Sequence, residues 1–204
     1  MTELPDYSNK SAVIVDDNPQ MRAIIRSMLG VIGITNVADY SDPQQAIRRL
    51  ESEHVGLAII DLVLMSSIDG LAVAEAIRHN EHVKNQMMPI IMVTGYPSIA
   101  VIDQAINAGV DELVTKPLRA KDLVSRVQKA FEEPRRYIST PNNYYGPDRR
   151  RADRGSPVGE DRRVEDLAVE VELLDDPRSM IARMKPDAFT EQRMVDESQL
   201  IYID

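Results

Sequence analysis

Five short aliphatic runs, each followed by a stretch with helical periodicity, limit what this chain can fold into. The runs are "AVIV" (12–15), "NVADY" (36–40), "GLAII" (56–60), "IIMV" (90–93) and "ELVT" (112–115). Runs this short and this apolar suit strands buried on both faces. Between the first two, Met21, Ile24, Ile25, Met28, Leu29 and Ile32 recur at three- and four-residue steps and mark one face of a helix. Pro19 suits the first turn of that helix, and Asp17 or Asn18 can cap it. A shorter helix opens near Pro43. Val73, Ala74 and Ile77 mark a third, Ile99, Ile102 and Ile106 a fourth, and Leu123, Val127, Ala130 and Phe131 a fifth. Strands alternating with helices predict an α/β fold with a five-stranded, parallel, doubly wound sheet.

In an open sheet of this kind, ligands bind outside the carboxyl ends of the strands. The runs end there on polar residues. "AVIV" is closed by Asp16 and Asp17, "GLAII" by Asp61, "IIMV" by Thr94 and "ELVT" by Lys116. Three carboxylates on one rim repel one another, so a divalent cation or a shared proton is expected with them. Oxygen ligands favour Mg²⁺ over zinc, and the chain has no cysteine, which excludes thiolate metal sites and disulfides. Each residue alone has a plainer reading. Asp17 is a plausible helix cap, Asp61 a cap or turn former, Thr94 a β-branched strand residue and Lys116 a solvated charge. It is their joint arrival on one rim that argues for chemistry.

The segments "VIVDDN", "IIDLVLMSSIDG", "VTGYPS" and "GVDELVTKPL", in this order and spacing over about residues 10–133, resemble the CheY-like receiver domain of two-component response regulators. The resemblance implies a flavodoxin-like sheet in the order 2-1-3-4-5. It also implies that Asp61 accepts a phosphoryl group and that Asp16 and Asp17 hold Mg²⁺ together with Asp61 and the backbone carbonyl of Val63. Thr94 matches the hydroxyl that moves toward the phosphoryl group, and Lys116 the ammonium that pairs with it. The peptide before Pro117 is expected to be cis. A carboxylate is a weak nucleophile for phosphorus, so such a site acts mainly by neutralising and positioning the transferring group.

Three positions depart from the family pattern. Met65 stands where a proline is common, and Gly70 lies one residue later than the usual glycine, so the loop after Asp61 is longer by one. Leu113 replaces the aromatic residue often found three positions before the lysine. Val63 and Tyr96 border the approach to the phosphoacceptor; an apolar Val63 and a covering Tyr96 ring predict a long-lived phosphoryl group. A related phosphatase class with an Asp nucleophile would need a second acid at position 63, where Val63 stands.

The remainder follows a different grammar. The net charge of −9 is segregated into a balance of −6 over residues 1–134, +4 over 135–163 and −7 over 164–204. The sequence therefore divides into a receiver domain (1–133), a basic linker rich in proline, glycine and arginine (134–163), and an acidic tail with short helices (164–204). In the tail, Val164, Leu167, Val171 and Leu174 share one face. Arg149, Arg150, Arg151 and Arg154, beside Tyr144 and Tyr145, offer phosphate contacts and base stacking, which keeps a nucleic-acid-binding effector as the alternative. Their spacing also matches cyclic-di-GMP-binding PilZ domains weakly, but the remaining chain is short for that barrel. With no apolar stretch near the roughly 18 residues of a membrane span, a cytoplasmic protein without membrane insertion is expected. The expected function is a phosphorylation-switched regulator, loaded by a histidine kinase or a histidine phosphotransfer protein. Its output would be a contact with an unidentified protein, with a phosphorylation-dependent dimer as one form. It would not be an enzyme beyond its own Mg²⁺-dependent phosphorylation and dephosphorylation.

Overall fold

The computed structural model describes residues 6–140 and 144–148. Five strands, β1 (Ser11–Val15), β2 (Asn36–Tyr40), β3 (Leu57–Asp61), β4 (Ile90–Thr94) and β5 (Glu112–Thr115), alternate with five helices. The helices are α1 (Pro19–Val31), α2 (Pro43–Ser52), α3 (Gly70–His79), α4 (Ile99–Asn107) and α5 (Ala120–Glu132). The strands form one parallel sheet in the order β2-β1-β3-β4-β5, as the resemblance implies.

Side-chain alternation along the strands divides the core in two. Val13, Val15, Ala58, Ile60, Ile90 and Met92 face one side, where α2, α3 and α4 supply Leu50, Val73, Ile77 and Ala105. Ala12, Ile14, Leu57, Ile59, Ile91 and Val93 face the other, where α1 and α5 supply Ile25, Leu29, Leu123 and Val127. Burying each Ile, Leu or Val stabilises by about 1.5–3 kcal/mol. Helix starts are set by local chemistry. Asn18, not Asp17, caps α1, accepting from the amides of Gln20 and Met21. Asp42, Asp69 and Ser98 cap α2, α3 and α4. With Asn18 capping, the Asp17 carboxylate is left for another task.

The segment that begins at Pro134 differs from the irregular linker that composition predicts. Within the described residues it forms two further strands, β6 (Tyr137–Ser139) and β7 (Tyr145–Pro147), paired antiparallel. They fold back under the amino-terminal ends of the large sheet, where Tyr137 and Tyr145 are buried. The reason is a long-range polar anchor. Arg78, at the end of α3, is fully buried and donates to the carbonyl oxygens of Gly109 (3.0 Å) and Met88 (2.9 Å) and to Asp111 Oδ2 (2.8 Å). The Tyr137 hydroxyl completes the group 2.9 Å from Asp111 Oδ1. Burial holds the pKa of that phenol well above its usual value, so it stays a donor. The guanidinium also lies 5.0 Å from the Tyr137 ring centroid, a cation–π contact. Two glycines allow the approach. A Cβ on Gly109, whose φ is +79°, would lie 2.9 Å from Arg78 Cγ and 3.0 Å from the Tyr145 carbonyl oxygen, and one on Gly146 would lie 2.9 Å from Gly109 Cα. Residues 149–204, which include the arginine cluster and the predicted tail helices, lie outside the described residues.

Candidate functional site

The rim at the carboxyl ends of the strands brings together every side chain that the sequence singles out for the site. Asp61 is the last residue of β3 and Thr94 the last of β4, while Asp16 follows β1 and Lys116 follows β5. Asp16, Asp61 and Thr94 are buried, and Asp17 is half-buried. Lys116 Nζ donates to Asp61 Oδ2 at 2.7 Å and lies 3.8 Å from Asp16 Oδ2. The amide of Lys116 donates to the Thr94 carbonyl oxygen at 2.8 Å, and the Lys116–Pro117 peptide is cis, as expected. Thr94 Oγ1 accepts from the Tyr96 amide at 3.1 Å.

The carboxylates are unequally satisfied. Carboxylate oxygens of Asp16, Asp17 and Asp61 lie within 4.8 Å of one another. Asp16 Oδ1 accepts from the Asn18 amide at 2.8 Å, but Asp16 Oδ2 is buried without a hydrogen-bond partner. Burial, reinforced by the Asp61 charge, raises the pKa of Asp16 against the pull of the Asn18 amide and Lys116. One ammonium among three acids leaves negative charge that a divalent cation would offset. Hard oxygen donors and the orphaned Oδ2 fit a magnesium-like ion held by Asp16, Asp17 and Asp61. Val63 lies in the loop after β3 and is 62% exposed.

The longer loop leaves the strand end in place. A Cβ on Gly70 would come 2.1 Å from the Asp61 carbonyl oxygen, so only glycine allows α3 to start this close to β3. The Gly70 amide donates to the Leu62 carbonyl oxygen at 3.0 Å. The loop bulges outward between these points, with Met65 92% exposed and Ser66 hydrogen-bonded to Ile68. The Met65 amide donates to Asp17 Oδ2 at 3.2 Å, a contact that side-chain reasoning misses. Tyr96 is 82% exposed, so its ring stands in solvent rather than covering the crevice. Leu113 packs against the α2–α4 side of the core. Sequence reasoning also missed Arg22, which binds the backbone of the acidic pair. On a helix surface it reads as an ordinary charge.

The sequence is 34% identical over 120 residues to the chemotaxis protein CheY of Pseudomonas aeruginosa, an alignment spanning 59% of this chain and 94% of that one. It is 28% identical over 133 residues to the heme response regulator HssR of Staphylococcus aureus, covering 64% of this chain but only 54% of HssR. Among solved structures, a CheY-like receiver domain protein from Methanospirillum hungatei superposes with a TM-score of 0.55 at 27% identity, over 61% of this chain and 94% of that one. The receiver domain of a sensor histidine kinase from Pseudomonas aeruginosa superposes with a TM-score of 0.52 at 26% identity, over 59% and 95%. That structure has a magnesium ion coordinated in its active site cleft. Among the described residues no helix is long and apolar enough to cross a membrane. The response regulator receiver domain profile matches residues 12–128, the stretch that carries the sheet and its acidic rim, and the chain therefore belongs to that family.

Proposed function

We propose that Asp61 accepts a phosphoryl group from a histidine kinase or a histidine phosphotransfer protein, and that the phosphorylated state switches a protein contact. The observation that carries this reading is the 2.7 Å pairing of Lys116 with Asp61 beside a buried acidic pair that has an unpartnered oxygen. A carboxylate oxygen of Asp61 attacks phosphorus as the nitrogen–phosphorus bond of phosphohistidine breaks. The products are an acyl phosphate and a histidine that recovers its proton from solvent. Lys116 stays beside the reacting carboxylate and offsets the charge brought by the phosphoryl oxygens. Thr94, one strand over, offers its hydroxyl to the same group. Asp16, Asp17 and Asp61, with the Val63 carbonyl, would hold Mg²⁺, which when bound supplies positive charge to the phosphoryl oxygens.

Like the relatives that carry it, this domain acts in signalling, and its chemistry is confined to gaining and losing its own phosphoryl group. The output in this reading is a contact with another protein, of which a phosphorylation-dependent dimer is one form. The nucleic-acid alternative rests on Arg149, Arg150, Arg151 and Arg154, outside the described residues, with Tyr144 and Tyr145 beside them; Tyr145 is buried, so its ring does not offer the base-stacking surface that the sequence suggests. Intact-protein mass spectrometry after incubation with acetyl phosphate and Mg²⁺ tests the assignment. A single phosphoryl adduct is expected on the wild type, none on Asp61→Asn, and none on the wild type with the metal chelated. Undiminished labelling of Asp61→Asn would sink the proposal.

A further inference from the structure

Asp16 and Asp17 are neighbours in sequence, yet their carboxylates converge with that of Asp61. In an extended strand, successive side chains point to opposite faces and successive carbonyls to opposite edges. The chain must therefore leave strand geometry directly after Val15. The backbone shows that it does. The carbonyl oxygens of both Asp16 and Asp17 meet a single nitrogen, Nη1 of Arg22, at 2.7 and 3.2 Å.

The guanidinium is itself held at its other end. Arg22 Nε donates to Asp39 Oδ2 at 2.9 Å, and Asp39 lies in β2, beside β1. Arg26, one turn further along α1, also binds Asp39 and donates to the Val37 carbonyl oxygen at 2.7 Å. It has no hydrogen bond to either acid. The Arg22 side chain is only 17% exposed, so its contacts are shielded from solvent.

We propose that Arg22 is the positioning residue for the acidic pair, holding the Asp16–Asp17 backbone in the turned conformation that presents both carboxylates to one divalent cation. The inference rests on the reading of the acidic rim as a metal site. Its charge makes the claim testable by sign. A cation beside a metal site repels the metal, so deleting a bystander arginine would tighten metal binding. Deleting a positioning residue weakens it, because the ligands no longer converge.

The measurement is calorimetric titration of the full chain with MgCl₂, alongside thermal melts that establish folding. Arg22→Gln should raise the Kd about tenfold, and Arg22→Lys, whose single ammonium cannot bridge both carbonyls and Asp39, about threefold. Arg26→Gln is the control: it loosens the same helix and the same Asp39 without touching the acidic pair, and its Kd should match the wild type. An unchanged or lower Kd in Arg22→Gln overturns the proposal. If that variant does not fold, an unchanged Kd in Arg22→Lys overturns it instead. A weakening in Arg26→Gln as large as in Arg22→Gln also overturns it, since the effect would then be general loosening of α1. Failure of the underlying reading looks different: the wild type would show no saturable Mg²⁺ binding, or Asp17→Asn would bind as tightly as the wild type.

Discussion

The two poles of the sheet bury carboxylates in opposite ways. At the carboxyl pole, three acids share one ammonium, and Asp16 Oδ2 is left without a hydrogen bond. At the amino pole, two buried acids are partnered: Asp111 accepts from Arg78, from the Tyr137 hydroxyl and from the Ile90 amide at 2.8 Å, and Glu112 accepts from Arg126 and Lys129. Arg78 in turn spends its donors on carbonyl oxygens of the surrounding turns. A buried charge that is fully partnered is an architectural part, because every polar atom has what it needs within the chain. A buried charge short of partners is less stable than it need be, and such sites are where ligands and chemistry are found. The contrast sets a fully partnered structural ion pair against the Lys116–Asp61 pair that the proposed function uses.

The strongest attempt to break that contrast is Arg78→Met. It leaves Asp111 buried without its cation and should cost about 3–5 kcal/mol, read from urea unfolding. Labelling of the folded fraction by acetyl phosphate should be unaffected; loss of labelling at full folding would show that the amino pole belongs to the site after all. Smaller is the effect of alkaline pH at the same pole. Burial and the neighbouring Glu132 raise the pKa of Tyr7 to about 12, and burial also raises that of Tyr137 well above its usual value. Both phenols bind their protons more tightly when folded. Their contribution is fully present below pH 10, the unfolded value, and is lost as pH rises from there through the folded values. Thermal melts from pH 8 upward should stay flat to about 10 and then decline, and Tyr7→Phe should reduce the slope. Smallest in stability, and opposite in sign, is Asp16→Asn. It removes a desolvated charge from beside Asp61 and keeps the Oδ1 acceptor for Asn18, so metal-free stability should hold or rise by up to about 1 kcal/mol. Mg²⁺ binding should nevertheless collapse. A marked loss of stability would mean that the carboxyl pole is as well satisfied as the amino pole.

The acidic rim was legible because each member sits where periodicity ends. Asp16, Asp61, Thr94 and Lys116 each close an apolar run, and a parallel sheet brings such ends together regardless of loop detail. The strand pair β6–β7 was not legible, for an equally physical reason. Each strand has three residues, too few to display alternation, and "YYGPD" reads as a turn by composition. Its stability comes from Arg78 and Asp111, which in the sequence look like a basic residue in the last turn of a helix and an acid before a strand. Arg22 was hidden similarly. Helical spacing places it, but nothing in spacing reveals that its partners are backbone carbonyls.

The close approach of Gly109 and Gly146 has a consequence for how the chain is laid out. A side chain on either glycine would wedge the hairpin off the domain, so the contact works as a registration pin that fixes where the polypeptide stands when it reaches Asp148. That address is the amino pole. The five residues of β4 separate it from the acidic rim by about 13 Å of strand rise. Under the proposed function, the chain therefore reaches Asp148 at the pole opposite the one a phosphodonor would approach.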